Sequence, residues 1–393
     1  MTESADIVVI GGGVMGTSIA WHLARRGAGK VLVLEKSFLG AGGSGKSGAI
    51  IRQYYSHPLT AAMAQFGLRF FERFPDIVGG PPVFTHTGMV AVALQRERAA
   101  LEETLAMQRR LGIKTRAVSP EELRSIDPHC RLADDEVAAF EEEAGYCEGL
   151  HVVASFADAA RQLGVDIREE ALVTGIMLEG QRVAGVTTPF SAIATHTVVL
   201  AAGPWAGTLA RSVGVELPVK PCRTQVALFR RPCEFGPPRP VYGDFHNQVY
   251  FKPTHGEMMH VGNIDPREER AVVDPDDYDE VADLGFTREM RGKLTTRYPA
   301  MRRSSGRGGF GALYDVTPDW HPIVDRLPGI DGAFVATGFS GHGFKMSPAV
   351  GTLIAELVVD RVARAFDIRP LRATRFAEGD LFGDQQSSRS VMG

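Results

Sequence analysis

The most informative residues of the sequence form a glycine-rich turn directly after an apolar run. Gly11, Gly13 and Gly16 satisfy the spacing G-x-G-x-x-G, and they lie between the run Ala5–Ile10 and a helix-compatible segment at 17–26. In such a turn the glycines permit a tight bend, close approach of backbone N–H groups to a pyrophosphate, and close packing of the helix on its strand. The sequence therefore predicts a strand-turn-helix unit that binds a dinucleotide, with the helix N-terminus directed at the phosphates.

A carboxylate stands where the second strand of this unit ends. The mostly apolar run Lys30–Leu34 leads directly to Glu35, which lies 22 residues beyond Gly13. An acid at this distance can hydrogen-bond the ribose hydroxyls of a dinucleotide, whereas an arginine would suit a 2′-phosphate. The sequence therefore favours FAD or NAD over NADP.

A second glycine-rich stretch matches a different nucleotide motif. Residues 40–47 fit G-x-x-x-x-G-K-S, the phosphate loop of nucleoside triphosphatases, at every specified position. A phosphate loop joins a strand directly to a helix, whereas here the strand ends at Glu35 and Gly48–Tyr55 is β-branched and aromatic. We interpret 43–47 as a second nest of backbone N–H groups on the same cofactor, and a phosphate-loop nucleotidase is the alternative outside redox chemistry.

The chain alternates between this nucleotide-binding pattern and a second pattern rich in strand-like runs. At about 150 residues per domain, its 393 residues predict two to three domains. The predicted units are a discontinuous nucleotide-binding domain at 1–80, 150–216 and 317–378, a substrate-binding domain at 81–149 and 217–316, and a mobile tail at 379–393. The two domains are therefore expected to interleave along the chain.

Hydrophobic periodicity predicts the elements around these units. A helix is expected at Pro58–Phe74, because Leu59, Met63, Phe66 and Phe70 recur at helical spacing and define one buried face. Further predicted elements are a strand at Thr85–Leu94, a helical segment at Asp276–Tyr298, a strand at Ala333–Thr337 and a helix at Ala349–Val362.

Composition excludes several classes of function. Forty-three Lys and Arg against 47 Asp and Glu give a net charge of −4 without a long basic block, so nucleic acid is not an expected partner. No apolar run approaches the ~18 residues of a membrane span. The four cysteines lack disulfide or metal-ligand spacing, so we expect reduced thiols, no metal site and a cytoplasmic protein.

Several stretches together resemble a known family. They are G-S-G-K-S-G-A-I-I-R at 43–52, A-A-G-P-W at 201–205, Tyr314 with Thr317-Pro318-Asp319, and F-S-G-H-G-F-K at 339–345. With the first turn, this order resembles the D-amino-acid oxidase superfamily from Ile7 to Val362, and within it the sarcosine oxidases and related N-methyl amino acid oxidases. The resemblance implies a mixed α/β (α+β) fold, in which a Rossmann-like FAD-binding domain interleaves with an antiparallel-sheet substrate domain.

The resemblance also implies the cofactor and its binding residues. FAD would lie extended in the first lobe, with the 341–345 turn facing the pyrimidine edge of the flavin. The residues that this resemblance places against the cofactor are Gly11, Gly12, Gly13, Val14, Met15, Gly16, Glu35, Lys36, Gly43, Ser44, Gly45, Lys46, Ser47, Val173, Gly203, Trp205, Gly338, Gly341, His342, Gly343, Phe344 and Lys345.

The implied reaction is oxidation of a secondary or N-alkyl amino acid to an imine, with hydride transfer to flavin N5. Arg52 and Lys345 would grip the substrate carboxylate, while Tyr314 and Tyr250 would line the pocket. Three alternatives remain: a 2-hydroxy acid dehydrogenase of the same superfamily, a flavin subunit of a larger amine-oxidising complex, and the nucleotidase. A homo-oligomer is also possible.

Three positions depart from the sarcosine oxidase pattern. Ala312 replaces the cysteine that attaches the flavin, so FAD is expected to bind without a covalent link. Ala49 replaces an arginine three residues before Arg52, which widens the pocket. His260 stands where a lysine that activates oxygen is expected, so the acceptor is oxygen or another oxidant, and reoxidation is expected to be slow and to accelerate as histidine gains its proton.

Overall fold

A mostly parallel sheet carries the first glycine-rich turn. The structure is a computed structural model that describes residues 3–236, 240–254 and 256–383. The strands of this sheet lie in the order Asp166–Arg168, Val31–Leu34, Ile7–Ile10, Val198–Leu200, Ala333–Thr337 and Ile323–Arg326, with only the last antiparallel to its neighbour. The central strands are Val- and Ile-rich and wholly buried, as expected when both faces are covered. The predicted fold class, a mixed α/β protein, is confirmed.

Helices cover this sheet, and three of them pack together beside the first turn. Helix Val14–Arg25 contacts helices Gly149–Gln162 and Ser347–Val359, and Ser18 Oγ donates to the carbonyl of Ser347 at 2.8 Å. The other helices of the described residues run at Pro58–Glu72, Phe74–Ile77, Arg98–Arg110, Pro120–Ile126, Ala206–Arg211, Leu284–Arg297 and Arg375–Glu378. Among the described residues, no helix is both long and apolar enough to cross a lipid bilayer.

A second, larger sheet faces the parallel sheet's carboxyl end. Its eight strands lie in the order Ser305–Val316, Lys220–Arg230, Met258–Asn263, Val249–Pro253, Val241–Asp244, Met89–Leu94, Glu136–Glu141 and Thr115–Val118. The expected antiparallel sheet is thus mixed, because Val241–Asp244 pairs in parallel with Met89–Leu94. These two strands come from separate passages of the chain, so no hairpin fixes their relative direction.

Two smaller sheets complete the described fold. One has the order Glu3–Ser4, Ala192–Ala194, Arg182–Thr187 and Gly175–Glu179, and the other Ile50–Ile51, Gly145–Cys147 and Phe84–His86. The predicted single strand Thr85–Leu94 is therefore two strands in different sheets. The break lies at Gly88, whose φ of +72° turns the chain and whose N–H donates to the carbonyl of Ala144 at 2.7 Å.

The helix after Arg52 differs from its prediction at one face. It spans Pro58–Glu72, and Phe66, expected on the buried stripe, is 37% exposed. The closest contact lies at Gly67 instead, where any Cβ would overlap the backbone carbonyl of Lys345. Glycine therefore lets the helix backbone rest directly on the segment that carries Lys345.

Two other predictions need correction or fall outside the described residues. The segment 276–283 is not helical, and the helix begins only at Leu284. Of the predicted mobile tail, residues 384–393 lie outside the described residues, whereas Phe382 is only 4% exposed. The domain boundaries given above stay predictions.

A buried ion pair anchors the end of the described chain. Arg375 donates to Asp319 through Nε at 2.7 Å and Nη2 at 3.0 Å, and both side chains are at most 2% exposed. The N–H of Phe382 adds a hydrogen bond to the same carboxylate at 3.0 Å. Burial opposes ionisation of Asp319, but these hydrogen bonds and the charge of Arg375 more than offset it and hold the pKa of Asp319 below its usual value.

Removing the Asp319 charge should destabilise the fold, because Arg375 would remain buried without its counter-ion. We expect Asp319→Asn to lower the free energy of unfolding by about 3–5 kcal/mol, measured by urea denaturation at pH 7. The matched control is Asp367→Asn, which removes a carboxylate from an exposed pair with Arg369 and should change little. Equal stability of the two variants would contradict the assignment. Since the pKa of Asp319 is lowered, its contribution exists above about pH 4 and should disappear as pH falls further.

Candidate active site

One long cavity, of about 960 Å³, runs between the carboxyl ends of the parallel strands and the face of the large sheet. Ligands of open α/β sheets bind at this edge. Most of the residues singled out from the sequence line it. They are Gly11, Gly13, Val14, Met15, Glu35, Lys36, Gly43, Ser44, Lys46, Ser47, Arg52, Val173, Gly203, Trp205, Tyr250, Tyr314, Gly341, Gly343, Phe344 and Lys345.

Six of the predicted residues do not line the cavity: Gly12, Gly16, Gly45, Gly338, His260 and His342. Two of these glycines make backbone hydrogen bonds just outside the lining. Gly45 N donates to the carbonyl of Gly40 at 2.9 Å, and Gly338 N donates to Asp315 Oδ2 at 2.7 Å. Their backbone bonds hold the turns whose neighbours face the cavity.

The first turn has the geometry of a backbone cradle. Gly11 has φ +111°, and a Cβ on it would lie 2.5 Å from the carbonyl oxygen of Ala201. A Cβ on Gly16 would overlap the carbonyl of Gly11, so the helix packs against the turn only with glycine there. The Glu35 carboxylate accepts from Gly12 N at 2.6 Å while it also lines the cavity. The carboxylate therefore stands at the turn, where a ribose would lie.

The second glycine-rich stretch joins the first turn instead of forming a phosphate loop. Ser44 Oγ accepts from the backbone N–H of Val14 at 2.9 Å, at the start of helix Val14–Arg25. The stretch continues into the short strand Ile50–Ile51 and not into a helix. Among the described residues, no cluster of three or more His, Cys, Asp or Glu is placed to hold a metal ion. The bond to Val14 and the continuation into a strand disfavour the nucleotidase alternative.

A segment that sequence reasoning missed crosses from the large sheet to this end of the cavity. Asp276 forms a salt bridge with Lys36 and accepts from Trp205 Nε1 at 3.0 Å. Tyr278 OH accepts from Lys46 Nζ at 2.9 Å. Asp276 and Tyr278 thus hold Lys36, Trp205 and Lys46, which the resemblance assigns to the cofactor. The only sequence signal is the acidic start of the segment Asp276–Tyr298, for which the sequence predicts a helix.

Two cations meet at the opposite end of the cavity. Arg52 is 2% exposed, its guanidinium lies 4.0 Å from the ring centre of Tyr55, and it donates to the carbonyl of Tyr54. Lys345 is 4% exposed and donates to the carbonyl of His342 at 3.0 Å. Burial, and then the charge of Arg52, lower the pKa of Lys345 well below its usual value. Two cations in so dry a place would favour an anion beside them.

Each of the two predicted pocket tyrosines lies against a glycine. A Cβ on Gly262 would come within 2.5 Å of the Tyr250 hydroxyl oxygen, and a Cβ on Gly341 would lie 2.6 Å from the Tyr314 ring. Tyr250 and Gly262 are paired across neighbouring strands of the large sheet. The glycines therefore let both rings lie flat at the wall of the cavity, which the sequence pattern alone did not indicate.

Four apolar side chains form part of the remaining wall at this end. Met89, Val226, Val241 and Ile264 line the cavity and are each at most 4% exposed. Ala49, the position that departs from the sarcosine oxidase pattern, also lines it. The site thus combines two buried cations with apolar side chains that are shielded from water.

His260 lies outside the cavity lining, and the role predicted for it stays a prediction. In the large sheet, His260 is paired with Leu228 on one neighbouring strand and with Lys252 on the other, and it does not line the cavity. Burial, and then the charge of Lys252, lower the pKa of His260 to about 4. A histidine with this pKa is neutral near pH 7, so it offers no fixed positive charge to an electron acceptor.

His342 is likewise a buried, neutral group. Its Nε2 lies 2.7 Å from the carbonyl oxygen of Trp320, and burial lowers its pKa well below the usual value. His342 holds the turn that carries Lys345, whose Nζ donates to the His342 carbonyl. It therefore acts on the site through the backbone.

Comparison with known proteins identifies the family. The model of the D-amino-acid oxidase (DAO) family, described as FAD dependent oxidoreductase, matches residues 6–357. The chain belongs to this family. Its cradle of Gly11 and Gly13, its ribose-side carboxylate and its long cavity all fit an extended FAD.

Individual members of the DAO family match over almost the whole chain. Sarcosine oxidase subunit beta of Arthrobacter sp is 28% identical over 99% of this chain and 95% of its own. Peroxisomal sarcosine oxidase of Homo sapiens is 29% identical over 94% and 96%. The structure of L-proline dehydrogenase from P. horikoshii superposes with a TM-score of 0.89 at 27% identity, over 97% of this chain and 100% of that one.

The FAD of this DAO-family protein should be held without a covalent bond. Ala312 lines the cavity where an attaching cysteine is expected, and none of the four cysteines, all within the described residues, lines it. No described histidine lines it either. We expect acid precipitation to release all flavin absorbance into the supernatant.

Colour that remains in the washed, denatured pellet would contradict this prediction. A variant with a cysteine at the same place, Ala312→Cys, tests whether the position can reach the flavin at all. Retention of flavin by that variant and not by the wild type would support the assignment of Ala312.

Proposed function

We propose that this DAO-family protein oxidises the C–N bond of a secondary or N-alkyl amino acid to an imine. The observation that carries the proposal is the pair of buried cations, Arg52 and Lys345, at one end of a cavity whose other end fits FAD. Two related proteins are named sarcosine oxidases and a structural neighbour is named L-proline dehydrogenase, and both names refer to secondary amino acids.

Positioning is the main task that the proposal gives to the protein. The planar fork of Arg52 matches a carboxylate, and Lys345 supplies a second donor. When bound, FAD supplies the acceptor for a hydride at N5. A carboxylate held at the cations would fix the neighbouring C–H relative to that acceptor, which is how orientation contributes to rate.

The dry chamber supports an amine that enters in its neutral form. Met89, Val226, Val241 and Ile264 exclude water from the cavity wall and offer no charge to an ammonium group. A neutral amine needs no strong base. A 2-hydroxy acid would need a base for its hydroxyl proton. No described histidine lines the cavity, and the lining carboxylate Asp315 already accepts a hydrogen bond from Gly338 N at 2.7 Å.

Partner chains remain part of the proposal. One relative is named a subunit of sarcosine oxidase, so this protein can be the flavin subunit of a larger complex. A cytoplasmic location and the identity of the electron acceptor stay predictions from the sequence. The proposal as a whole is tested by anaerobic bleaching of the flavin with N-methyl, cyclic and primary amino acids, with lactate to represent hydroxy acids.

Arg52→Ala and Lys345→Ala should retain FAD and lose most of kcat/KM for amino acid substrates. Removing one partner of a desolvated charge contact commonly costs ~2 to 5 kcal/mol, which is roughly 30-fold to several thousand-fold in rate. The loss should be much smaller for a matching amine without a carboxylate. Arg98→Ala, on an exposed helix, is the control. Turnover of acids at the wild-type rate by either variant would remove that residue from the site.

Reoxidation of the reduced enzyme by oxygen should not depend on His260. Because its pKa is lowered to about 4, the ring stays neutral between pH 6 and pH 8. We expect equal stopped-flow reoxidation rates for the wild type and His260→Gln across that range. A wild-type rate that rises toward pH 6, and that loses this rise in His260→Gln, would restore the role predicted from the sequence.

A further inference from the structure

A buried carboxylate lies behind the two cations, outside the cavity lining. Glu141 is the last residue of strand Glu136–Glu141 in the large sheet, and it is 2% exposed. Its carboxylate accepts from Gln53 N at 2.8 and 3.0 Å, from Gln53 Nε2 at 3.1 Å and from Tyr54 N at 2.9 Å. One side chain of the large sheet therefore fixes the backbone that directly follows Arg52.

This backbone in turn fixes the guanidinium of Arg52. Arg52 donates to the carbonyl of Tyr54, whose N–H is held by Glu141, and it stacks on the ring of the next residue, Tyr55. A shift of the 53–54 backbone would move both the acceptor and the ring that orient Arg52. The carboxylate thus acts on the cation through hydrogen bonds and packing.

Glu141 also places a carboxylate near the two buried cations, Arg52 and Lys345. The groups that interact with it electrostatically are Arg52, Lys345 and Tyr55. Burial raises the pKa of Glu141 to about 7, although its hydrogen bonds and Arg52 oppose that rise. The charge of Glu141 raises the pKa of Lys345 and so works against burial and Arg52.

We propose that Glu141 is a positioning residue of the carboxylate site, because it orients Arg52 through residues 53 and 54. This inference rests on the proposed function, because it presupposes that the two cations bind a carboxylate. It goes beyond that function by assigning a role to a residue that touches neither substrate nor cofactor.

The pH dependence distinguishes this role from a merely structural one. Above about pH 7 Glu141 is ionised and supports the charge of Lys345. Without that charge Lys345 should lose its proton at lower pH, so a carboxylate ligand should weaken earlier as pH rises. A residue that only stabilised the fold would not shift this profile.

The test is titration of the FAD-loaded protein with acetate, followed by the flavin absorption spectrum from pH 6 to pH 9. Glu141→Gln should raise the acetate Kd about 10-fold or more at pH 8, a size typical for residues that orient ligand-binding groups, and less at pH 6. Glu141→Asp keeps the charge and shortens the side chain, so it should weaken binding without moving the pH profile. Binding of neutral acetamide should not change.

Glu136→Gln is the matched control, because Glu136 lies on the same strand in a buried pair with Arg297, away from the cavity. It should bind acetate like the wild type even if it is less stable. Wild-type Kd values in both Glu141 variants at every pH would overturn the inference. If Glu141→Gln does not fold, a wild-type acetate Kd in Glu141→Asp at every pH would overturn it. Failure of the wild type to bind acetate would instead overturn the carboxylate site itself.

Discussion

The candidate active site depends on the burial of two cations, Arg52 and Lys345, at one end of the cavity. Taking an ion out of water costs several kcal/mol unless nearby groups replace its hydration. Here the replacements are local: the Tyr55 ring and Tyr54 carbonyl for Arg52, the His342 carbonyl for Lys345, and the charge of Glu141 for both. The first three lie within three residues of their cation, and only Glu141 comes from a distant part of the chain, so burial of the pair depends on strand Glu136–Glu141 reaching residues 53 and 54.

That requirement explains why close backbone contacts occur beside the site. Helix Pro58–Glu72 reaches Lys345 because Gly67 has no side chain, and strand Glu136–Glu141 delivers its last carboxylate to residues 53 and 54. At the other end of the cavity, Asp276 reaches Lys36 from the large sheet. Contacts between distant parts of the chain therefore hold both ends of the cavity: backbone packing and hydrogen bonds at the cations, and an ion pair at Lys36.

Local pattern was enough to predict the parts of the site that depend on neighbouring residues. The turn at Gly11–Gly16 and the acid at Glu35 follow from a strand, a turn and a helix within one short stretch. Glu141, Gln53 and Gly67 carry no such signal, because their roles arise from partners far along the chain. The sequence pattern also did not indicate that strands Val241–Asp244 and Met89–Leu94 are parallel, because their pairing is set by tertiary packing. Tertiary packing likewise decides that Phe66 is partly exposed although its helical spacing predicts burial.

Burial acts differently on the buried histidines and on the buried arginine. An imidazole moved into a dry environment loses its proton readily, and His260, His321 and His342 all have a lowered pKa for this reason first. A guanidinium keeps its charge in proteins, whereas a buried ammonium becomes titratable. The site thus pairs one permanent cation with Lys345, whose charge depends on its surroundings. By linkage, any anion that prefers the protonated form of Lys345 must raise its pKa, so binding of a carboxylate and protonation of this lysine support each other.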